Sequence, residues 1–353
     1  MGHFNEKGAP RVLDAWKPGE SVLVLSSKDV RESISMREAI DAAAAAYASV
    51  SDGRAQVPLR TPVQVPAREG VSLFMPGFVR DSHVGGMRAL GMKTVSVFPH
   101  NPSNGLPVIL ASILMLDPET GAPACLMEGT YLTALRTGAA AAVAADNMAR
   151  KDAAVVALFG AGVQARMQVM GLLEVRNLQE IRIVDITLDR ARAMADELVT
   201  IKHGLRVVAA GNARDAVLGA DIVVTATTSK TPVFEAAHLR PGTHINGIGS
   251  FKPDMQEIGE DTVVRADRIV VDSREAALHE AGDMIIPLNK GLIGKLSIAG
   301  EIGDLVLGRV PGRTSDDEIT LCKMVGISAL DVAVSAVAFS RALAEGRGTL
   351  VGL

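Results

Sequence analysis

The sequence predicts an α/β protein that combines a Rossmann-type, doubly wound parallel sheet with a split α+β domain. Three observations predict it: a glycine-rich turn between an apolar run and a helix at 152–165, strands alternating with helical segments after that turn, and short β-type runs before residue 136. Strands separated by helices form parallel sheets with right-handed crossovers. With 353 residues, 48% of them hydrophobic, the chain can build two cores of ordinary size.

The glycine-rich turn follows the apolar run 153–158. It consists of Gly160, Ala161, Gly162, Val163, Gln164 and Ala165. Gly160 allows a tight turn, Gly162 lets backbone N–H groups approach phosphates, and Ala165 keeps the next helix close to the sheet. A pyrophosphate would then bind at the helix N-terminus. We interpret the segment as a dinucleotide site, and a purely structural turn is the alternative.

The residue that ends the second strand bears on the choice of dinucleotide. Asp185 follows the turn at about the 20-residue spacing at which an acidic side chain meets the adenosine ribose. A carboxylate accepts hydrogen bonds from a 2′-hydroxyl and repels a 2′-phosphate. The sequence therefore predicts NAD or NADP as cofactor and favours NAD. The preference is slight, because Arg182, Arg190 and Arg192 are near enough to supply a counter-charge to a 2′-phosphate.

The other elements follow from hydrophobic periodicity and turn residues. Strands are predicted at 21–25, 71–75, 92–98, 108–116, 153–158, 181–185, 206–209, 221–225, 244–248 and 268–271, and helices at 36–50, 136–148, 164–173 and 316–343. Thr225, Thr227 and Ile248 lie at the carboxyl ends of two strands, where open parallel sheets bind ligands, and are weaker candidates for cofactor contact.

Composition excludes several classes of function. A net charge of −4 gives no electrostatic footprint for nucleic acid or an anionic membrane. The two cysteines, Cys125 and Cys322, have no metal-type spacing, which predicts a reduced cytoplasmic setting and no metal site. No apolar stretch of about 18 residues and no signal-peptide pattern is present, so we expect no membrane association.

Three cationic residues stand in otherwise apolar or small-residue surroundings: Arg60, Lys93 and Arg136. A charge in such a setting costs free energy unless a partner accepts it. A bound carboxylate would be such a partner, because the arginine fork matches two oxygens. The alternative is that each is a surface or salt-bridged cation, as most arginines and lysines are.

Seven blocks of sequence, in this order, resemble one protein family. The blocks are Val57-Pro-Leu-Arg-Thr61, Gly91-Met-Lys93, Met127-Glu-Gly-Thr-Tyr-Leu-Thr-Ala-Leu-Arg-Thr-Gly-Ala139, Phe159-Gly-Ala-Gly-Val-Gln-Ala165, Pro241-Gly-Thr-His-Ile-Asn-Gly-Ile-Gly249, Val271-Asp-Ser273 and Gly312-Arg-Thr-Ser-Asp-Asp-Glu-Ile-Thr320. They resemble the ornithine cyclodeaminase and mu-crystallin family over roughly residues 20–345. The family includes ornithine and lysine cyclodeaminases, an archaeal-type alanine dehydrogenase, and ketimine or pyrroline-2-carboxylate reductases.

The resemblance implies domains and roles for residues. It implies a substrate-binding and dimerisation domain in 1–135, a dinucleotide-binding Rossmann domain in 136–312, and a C-terminal helix in 313–353 that returns to the first domain. It also implies a homodimer that binds NAD(H) or NADP(H), with the active site between the two domains. By position, Arg60 and Arg136 match arginines that bind the substrate α-carboxylate, Lys93 matches a lysine placed to assist proton transfer, and Met75 matches a position that lines the substrate pocket.

One position departs from the cyclodeaminase pattern. Where those enzymes have an aspartate that handles the substrate's amino groups, this chain has Phe251. An apolar ring can neither accept a proton nor hold a distal ammonium, although Asp254 stands three residues further on and is a candidate substitute.

The sequence therefore favours an NAD(P)H-dependent reductase that converts a cyclic ketimine carboxylate, such as pyrroline-2-carboxylate, or a 2-imino acid into an L-amino acid. Phe251 would then contact the substrate's ring or short alkyl side chain. Three alternatives remain open: a cyclodeaminase-type lyase that releases ammonia, an alanine dehydrogenase-like activity, and a non-catalytic ligand-binding protein.

Overall fold

The structure is a computed structural model that describes residues 16–80 and 88–353. The strands are β1 (Ser21–Leu25), β2 (Ala55–Gln56), β3 (Thr61–Val65), β4 (Gly70–Val79), β5 (Ala89–Val97), β6 (Ile109–Leu116), β7 (Pro123–Glu128), β8 (Val155–Phe159), β9 (Glu180–Val184), β10 (Arg206–Ala209), β11 (Ile222–Thr225), β12 (His244–Gly247), β13 (Arg268–Val271), β14 (Ile298–Glu301), β15 (Thr320–Lys323) and β16 (Thr349–Gly352). The α-helices are α1 (Ser27–Ser33), α2 (Met36–Ser51), α3 (Gly129–Met148), α4 (Val163–Val175), α5 (Leu188–Leu198), α6 (Ala213–Val217), α7 (Glu260–Arg265), α8 (Arg274–Glu280), α9 (Gly282–Asn289), α10 (Ile302–Val306) and α11 (Ser328–Glu345).

The chain forms two compact units. The first contains the described residues up to Arg136 together with Ile327–Leu353, and the second is Thr137–Gly326. The first unit is therefore built from two separate stretches of chain.

The first unit is built on a mixed sheet. Its strand order is β16-β1-β7-β6-β5-β4-β2, and β3 also pairs with β4. β1 and β7 are parallel, whereas the other neighbouring strands run antiparallel. An antiparallel sheet can bury one face against helices and leave the other exposed. The strands predicted at 21–25, 71–75, 92–98 and 108–116 lie in β1, β4, β5 and β6.

The C-terminal helix α11 covers part of this sheet. It packs against β4, β5 and β6 and against α2, the alanine-rich helix predicted from the sequence. The helix begins very close to β4, because a Cβ atom on Gly77 would lie 2.9 Å from the Ser328 hydroxyl oxygen and 3.1 Å from the Ser328 carbonyl carbon. A larger residue at position 77 would push the start of α11 away from the strand.

The second unit contains a wholly parallel sheet. Its strand order is β10-β9-β8-β11-β12-β15-β13-β14, and each neighbouring pair is parallel. The chain moves outward from β8 to β10 and then returns to the other side of β8 at β11. This reversal is the topological switch point at which doubly wound sheets bind ligands.

Apolar residues cover both faces of that sheet. On β8, Val156 and Leu158 belong to one buried cluster, whereas Ala157 and Phe159 belong to another. Successive side chains of a strand point to opposite faces, so the two clusters lie on opposite sides. The strands predicted at 153–158, 181–185, 206–209, 221–225, 244–248 and 268–271 are confirmed as β8–β13, with ends that differ by at most two residues.

The long helix predicted over 316–343 is wrong in its first half. Residues 320–323 form β15, which pairs with β12 on one side and β13 on the other, and the helix begins only at Ser328. Gly326 lies between the strand and the helix and has a φ of +86°, in the left-handed region, so the two elements are separate. The sequence predicts one helix here because the apolar residues of a short strand fit the helical period of the helix that follows it. Residues 313–326 thus belong to the second unit and not to the C-terminal helix.

None of the helices in the described ranges combines the length and the apolar character that crossing a bilayer requires.

Both cysteines are free thiols in strand interiors, Cys125 in β7 of the first unit and Cys322 in β15 of the second. Burial raises the pKa of the Cys125 thiol to about 12 and also raises that of Cys322.

Candidate functional site

A buried lysine lies at the centre of the first unit's sheet. Lys93 is on β5, opposite Met75 of β4 on one side and Ile113 of β6 on the other, and its side chain is 1% exposed. Its Nζ donates a hydrogen bond of 2.8 Å to Oδ1 of Asp331 on α11. Asp331 is 0% exposed. An ammonium has three N–H donors, and Asp331 accepts one of them.

Arg136 joins the same carboxylate. Its Nε lies 2.9 Å from Oδ1 of Asp331, and its side chain is nearly buried. Within residues 16–80 and 88–353, Asp331 is the carboxylate that pairs with this guanidinium. The outer nitrogens of Arg136 form the fork that matches a carboxylate.

Arg60 lies in the segment just before β3 and is partly buried. Its charge acts on Lys93, because it is one of the influences that lower the pKa of that lysine. Both arginines that the sequence singled out in the first unit therefore act on the lysine that it singled out. Of the alternative that each is a surface or salt-bridged cation, the surface location does not fit Lys93 and Arg136, which are buried, whereas both are salt-bridged to Asp331.

The surroundings of Lys93 lower its pKa to about 7. Burial is the largest cause, because it penalises the charged form, and the positive charges of Arg136 and Arg60 act in the same direction. The charge and the hydrogen bond of Asp331 oppose them. Lys93 can thus gain or lose a proton near neutral pH, as a general acid must.

Asp331 is a residue of this cluster that the sequence interpretation missed. It is an acidic residue inside an otherwise apolar stretch of helix, Ser328-Ala-Leu-Asp-Val-Ala-Val-Ser335. That contrast was the available signal, because an acidic side chain is rarely fully buried without a partner. When Lys93 and Arg136 are both charged, these two cations exceed the charge of Asp331 by one, and that excess suits a monoanionic ligand.

In the second unit, the glycine-rich turn has the backbone that a dinucleotide requires. Gly160 has φ of +99°, and a Cβ there would lie 2.6 Å from the carbonyl oxygen of Ala226. Gly162 is the N-cap of α4, and no side chain caps that end of the helix. Its first N–H groups are therefore not used by a capping side chain and can bind phosphate oxygens. A pyrophosphate fits this turn.

The remaining residues of the turn differ in exposure. Val163 is exposed, Gln164 is partly buried, and Ala165 is buried among the residues that cover one face of the sheet. The place of Ala165 agrees with close packing of α4 on the sheet, which a larger side chain would prevent.

Asp185 directly follows β9 and contacts the turn. Its Oδ2 accepts a hydrogen bond of 2.8 Å from the backbone N–H of Ala161, and its Oδ1 accepts one of 2.9 Å from Thr187. The same Oδ1 lies 3.9 Å from Nη1 of Arg190, which is more than half exposed. Asp185 therefore anchors the glycine turn while an arginine stands close to it.

A second missed residue, Glu257, fastens the loops that follow β11 and β12. Its carboxylate is fully buried and accepts hydrogen bonds from the Thr225 hydroxyl at 3.0 Å and from three backbone N–H groups. Those groups belong to Thr227, Gly249 and Ser250, at 2.6, 2.6 and 3.0 Å. Burial raises the pKa of Glu257, and the charge of Asp283 acts in the same direction, whereas Lys323 and the hydrogen bonds of Thr227 lower it.

The weaker cofactor candidates lie on these loops. The Thr225 hydroxyl donates to Glu257, and the Thr227 hydroxyl oxygen accepts a hydrogen bond from the backbone N–H of Ser229. Ile248 is half-buried and packs against the cluster that covers one face of the sheet. Thr225 is the last residue of β11, and Thr227 and Ile248 follow the carboxyl ends of β11 and β12.

Phe251, which stands where the cyclodeaminases have an aspartate, and Asp254, the candidate substitute for that aspartate, lie in different environments. Phe251 is half-buried, with Nζ of Lys252 5.7 Å from its ring centroid. Asp254 is exposed and forms an ion pair of 2.7 Å with Lys230. The hydrogen bond and charge of Lys230 lower the pKa of Asp254. Asp254 is thus turned toward a surface lysine.

These features define a class of protein: a Rossmann-fold protein with an added α+β unit that holds a buried cluster of cations. The sequence pattern of the ornithine cyclodeaminase/mu-crystallin family matches residues 20–346. The chain belongs to this family, and the resemblance found in the sequence is confirmed.

Three relatives are similar over almost their whole length. The Delta(1)-pyrroline-2-carboxylate reductase of Bacillus cereus is 36% identical over 93% of this chain and 98% of that protein. The structure of Thermococcus litoralis Delta(1)-pyrroline-2-carboxylate reductase in complex with NADH and L-proline is 42% identical, covers 93% of this chain and 99% of its own, and has a TM-score of 0.88. An archaeal alanine dehydrogenase dimer with bound NAD is 33% identical, covers 94% and 99%, and has a TM-score of 0.87.

Proposed function

We propose that the protein is an NAD(P)H-dependent oxidoreductase that acts on C=N bonds. It reduces a cyclic ketimine carboxylate such as pyrroline-2-carboxylate, or a related 2-imino acid, to the L-amino acid. Two relatives carry the name of this activity, and one of them binds NADH and L-proline. The observation that carries the proposal is the buried cluster in which Lys93 and Arg136 share one oxygen of Asp331.

The cluster provides the two functions that this reduction needs from the protein. Arg136 and Arg60 bind the substrate carboxylate, because a guanidinium fork matches the two oxygens of a carboxylate. The lysine ammonium donates a proton to the imine nitrogen, and its pKa of about 7 keeps a large fraction protonated near neutral pH. Bound by its acid group, the substrate has a fixed orientation about its C2 carbon. Met75, buried opposite Lys93, lines this part of the site.

The second unit binds the cofactor. NADH, when bound, supplies the hydride that reduces C2 of the imine. The glycine turn from Gly160 to Ala165 binds the pyrophosphate through its backbone N–H groups, and Asp185 accepts a hydrogen bond from the adenosine ribose. Thr227 and Ile248 contact the cofactor on the loops that Glu257 holds, whereas Thr225 is fully buried and supports these loops through its hydrogen bond to Glu257.

Two side chains disfavour the cyclodeaminase reaction. Cyclising ornithine requires a base that deprotonates the distal amine, and Phe251 has no acceptor at the matching position. Asp254 does not replace it, because it is exposed and paired with Lys230. A half-buried phenyl ring suits a substrate with an apolar ring, such as pyrroline-2-carboxylate.

The protein works as a homodimer, which is supported by its similarity to an archaeal alanine dehydrogenase dimer.

The proposal is tested by following NADH absorbance with pyrroline-2-carboxylate as substrate. We expect steady, stoichiometric oxidation of NADH and formation of the cyclic amino acid. Pyruvate with ammonia tests the alanine dehydrogenase alternative, and ornithine tests the cyclodeaminase one. Ammonia release from ornithine without net change in NADH would contradict the proposal, as would ligand binding without turnover of any of these substrates.

We expect replacement of Asp185 by serine to shift the preference from NADH toward NADPH. The change removes a carboxylate that repels a 2′-phosphate and leaves Arg190 close by. Since a hydrogen bond to a charged group contributes about 1.5–3 kcal/mol, the ratio of kcat/KM for NADH to that for NADPH should fall by about tenfold or more.

The matched control for this change is Asp189→Ser, which alters an exposed acid on α5 that pairs with Arg192. We expect it to leave the ratio unchanged, and Arg190→Gln should lower the activity with NADPH. An unchanged ratio in Asp185→Ser would mean that another group distinguishes the two cofactors.

A further inference from the structure

The buried acids of this chain fall into two kinds. Asp272 accepts hydrogen bonds from the backbone N–H groups of Ser273, Val325 and Gly326, and Asp283 accepts two such bonds from 257 and 258. These acids hold loops in place. Asp331 differs from them, because within the described ranges no backbone N–H donates to its carboxylate.

The partners of Asp331 are the two cations of the site. Its Oδ1 lies 2.8 Å from Lys93 Nζ and 2.9 Å from Arg136 Nε. Its Oδ2 is buried and accepts no hydrogen bond from the part of the chain that is described. A buried acid with an unused oxygen is expensive as a purely structural device. The unused oxygen alone does not distinguish Asp331, because Asp283 also has a buried Oδ2 without a hydrogen bond and pairs with Lys323. Asp283, however, also holds two backbone N–H groups, whereas the partners of Asp331 in the described ranges are the two cations of the site.

We propose that Asp331 is a positioning residue for the reduction: it holds the Lys93 ammonium beside the Arg136 guanidinium, so that the proton donor and the carboxylate-binding group keep a fixed separation. This inference rests on the proposed function. The separation matters because a substrate held by its acid group presents its imine nitrogen at a fixed distance from that group, and proton transfer needs hydrogen-bond distance.

Asp331 also influences the protonation of Lys93. The charged groups that act on Lys93 are Arg60 before β3, Arg136 on α3 and Asp331 on α11. The two arginines lower its pKa, whereas the aspartate raises it. Replacing the aspartate by a neutral residue would leave burial and two positive charges unopposed, and the pKa of Lys93 would fall below 7.

The test is to measure kcat/KM for pyrroline-2-carboxylate on both sides of pH 7 in wild type and in Asp331→Asn. We expect the fall in activity at high pH to begin at least one pH unit lower in the variant, which is about a tenfold smaller protonated fraction above that pH. The loss should therefore be larger at pH 8 than at pH 6. The substrate ionises in the same way in both assays, so its own ionisation cancels when the kcat/KM of the variant is divided by that of wild type at each pH.

Two variants make the result specific. Glu345→Gln removes an exposed acid from the same helix, where it pairs with Arg341 and Arg347, and should leave the pH profile unchanged. Asp331→Glu keeps the charge but moves the carboxylate, so it should retain a pKa near 7 and have a lower kcat/KM. Binding of NADH, measured by fluorescence, reports that the second unit is intact in every variant.

The outcomes separate the inference from the proposed function. If wild type does not oxidise NADH, the function is wrong, and the inference is tested by the pH dependence of pyrrole-2-carboxylate binding, a planar carboxylate without a reducible C=N bond. The inference is overturned if Asp331→Asn folds and its profile coincides with wild type in either measurement. It is also overturned if Asp331→Asn fails to fold and Asp331→Glu has wild-type kcat/KM and pH profile.

Discussion

Replacing Arg136 by alanine should lower kcat/KM for pyrroline-2-carboxylate by about two to three orders of magnitude. The guanidinium fork makes two charge-assisted hydrogen bonds to the substrate carboxylate at about 1.5–3 kcal/mol each, and each 1.4 kcal/mol corresponds to a factor of ten. The variant loses the guanidinium fork that binds the substrate's acid group, whereas Lys93 keeps its hydrogen bond to Asp331. Steady-state kinetics, with thermal melting to establish folding, measures the effect.

A second consequence makes this result specific. Because the charge of Arg136 lowers the pKa of Lys93, its removal should raise that pKa, and the residual activity should persist to higher pH than in wild type. Arg136→Lys, which keeps a charge but lacks the fork, should lose less. Arg206→Ala, at an exposed arginine that pairs with Glu180 in the second unit, is the control and should be neutral. Near-normal activity of Arg136→Ala would remove the carboxylate site from the proposal.

Replacing Lys93 by methionine should lower kcat by about two to four orders of magnitude, the usual contribution of a general acid. Methionine has a similar length and suits a buried position, and Arg136 remains paired with Asp331. The affinity for NADH should not change, since Lys93 belongs to the first unit. Single-turnover reduction and NADH binding distinguish the two effects.

The same variant should lose the pH dependence that Lys93 causes. The lysine must be protonated to donate, and its pKa is about 7. In wild type, kcat/KM for reduction should be constant below that pH and should fall about tenfold per pH unit above it. Lys93→Met should lack this fall, and Lys151→Met, at an exposed lysine, should retain it. A wild-type profile that is flat through pH 7 would assign the proton to another donor.

The fold of the second unit could be predicted well because its signals are local. The turn at Gly160, the apolar strands and the spacing to Asp185 lie within short stretches of sequence. β15 could not be recognised in the same way, because a short apolar run fits a strand or a buried helix equally well until its neighbours are known. It lies between β12 and β13 only because the chain returns to the sheet after α10.

The candidate site could be predicted in part. The unusual surroundings of Arg60, Lys93 and Arg136 singled out the cations, and the family resemblance suggested their roles. The acid that joins Lys93 and Arg136 is 238 residues away from Lys93 in the sequence, and periodicity carries no information about such a contact. Glu257 was missed for a related reason, since its hydrogen bonds connect two loops that meet only in the folded sheet.

The two buried thiols give each half of this protein its own reporter of opening. A thiol reacts as its thiolate, and Cys125 and Cys322 are buried in strand interiors with raised pKa values. Modification by a thiol reagent therefore requires the surrounding strands to separate. Because one cysteine lies in each unit, the rates at which the two sites are modified, resolved by mass spectrometry, would show whether the units unfold together or independently.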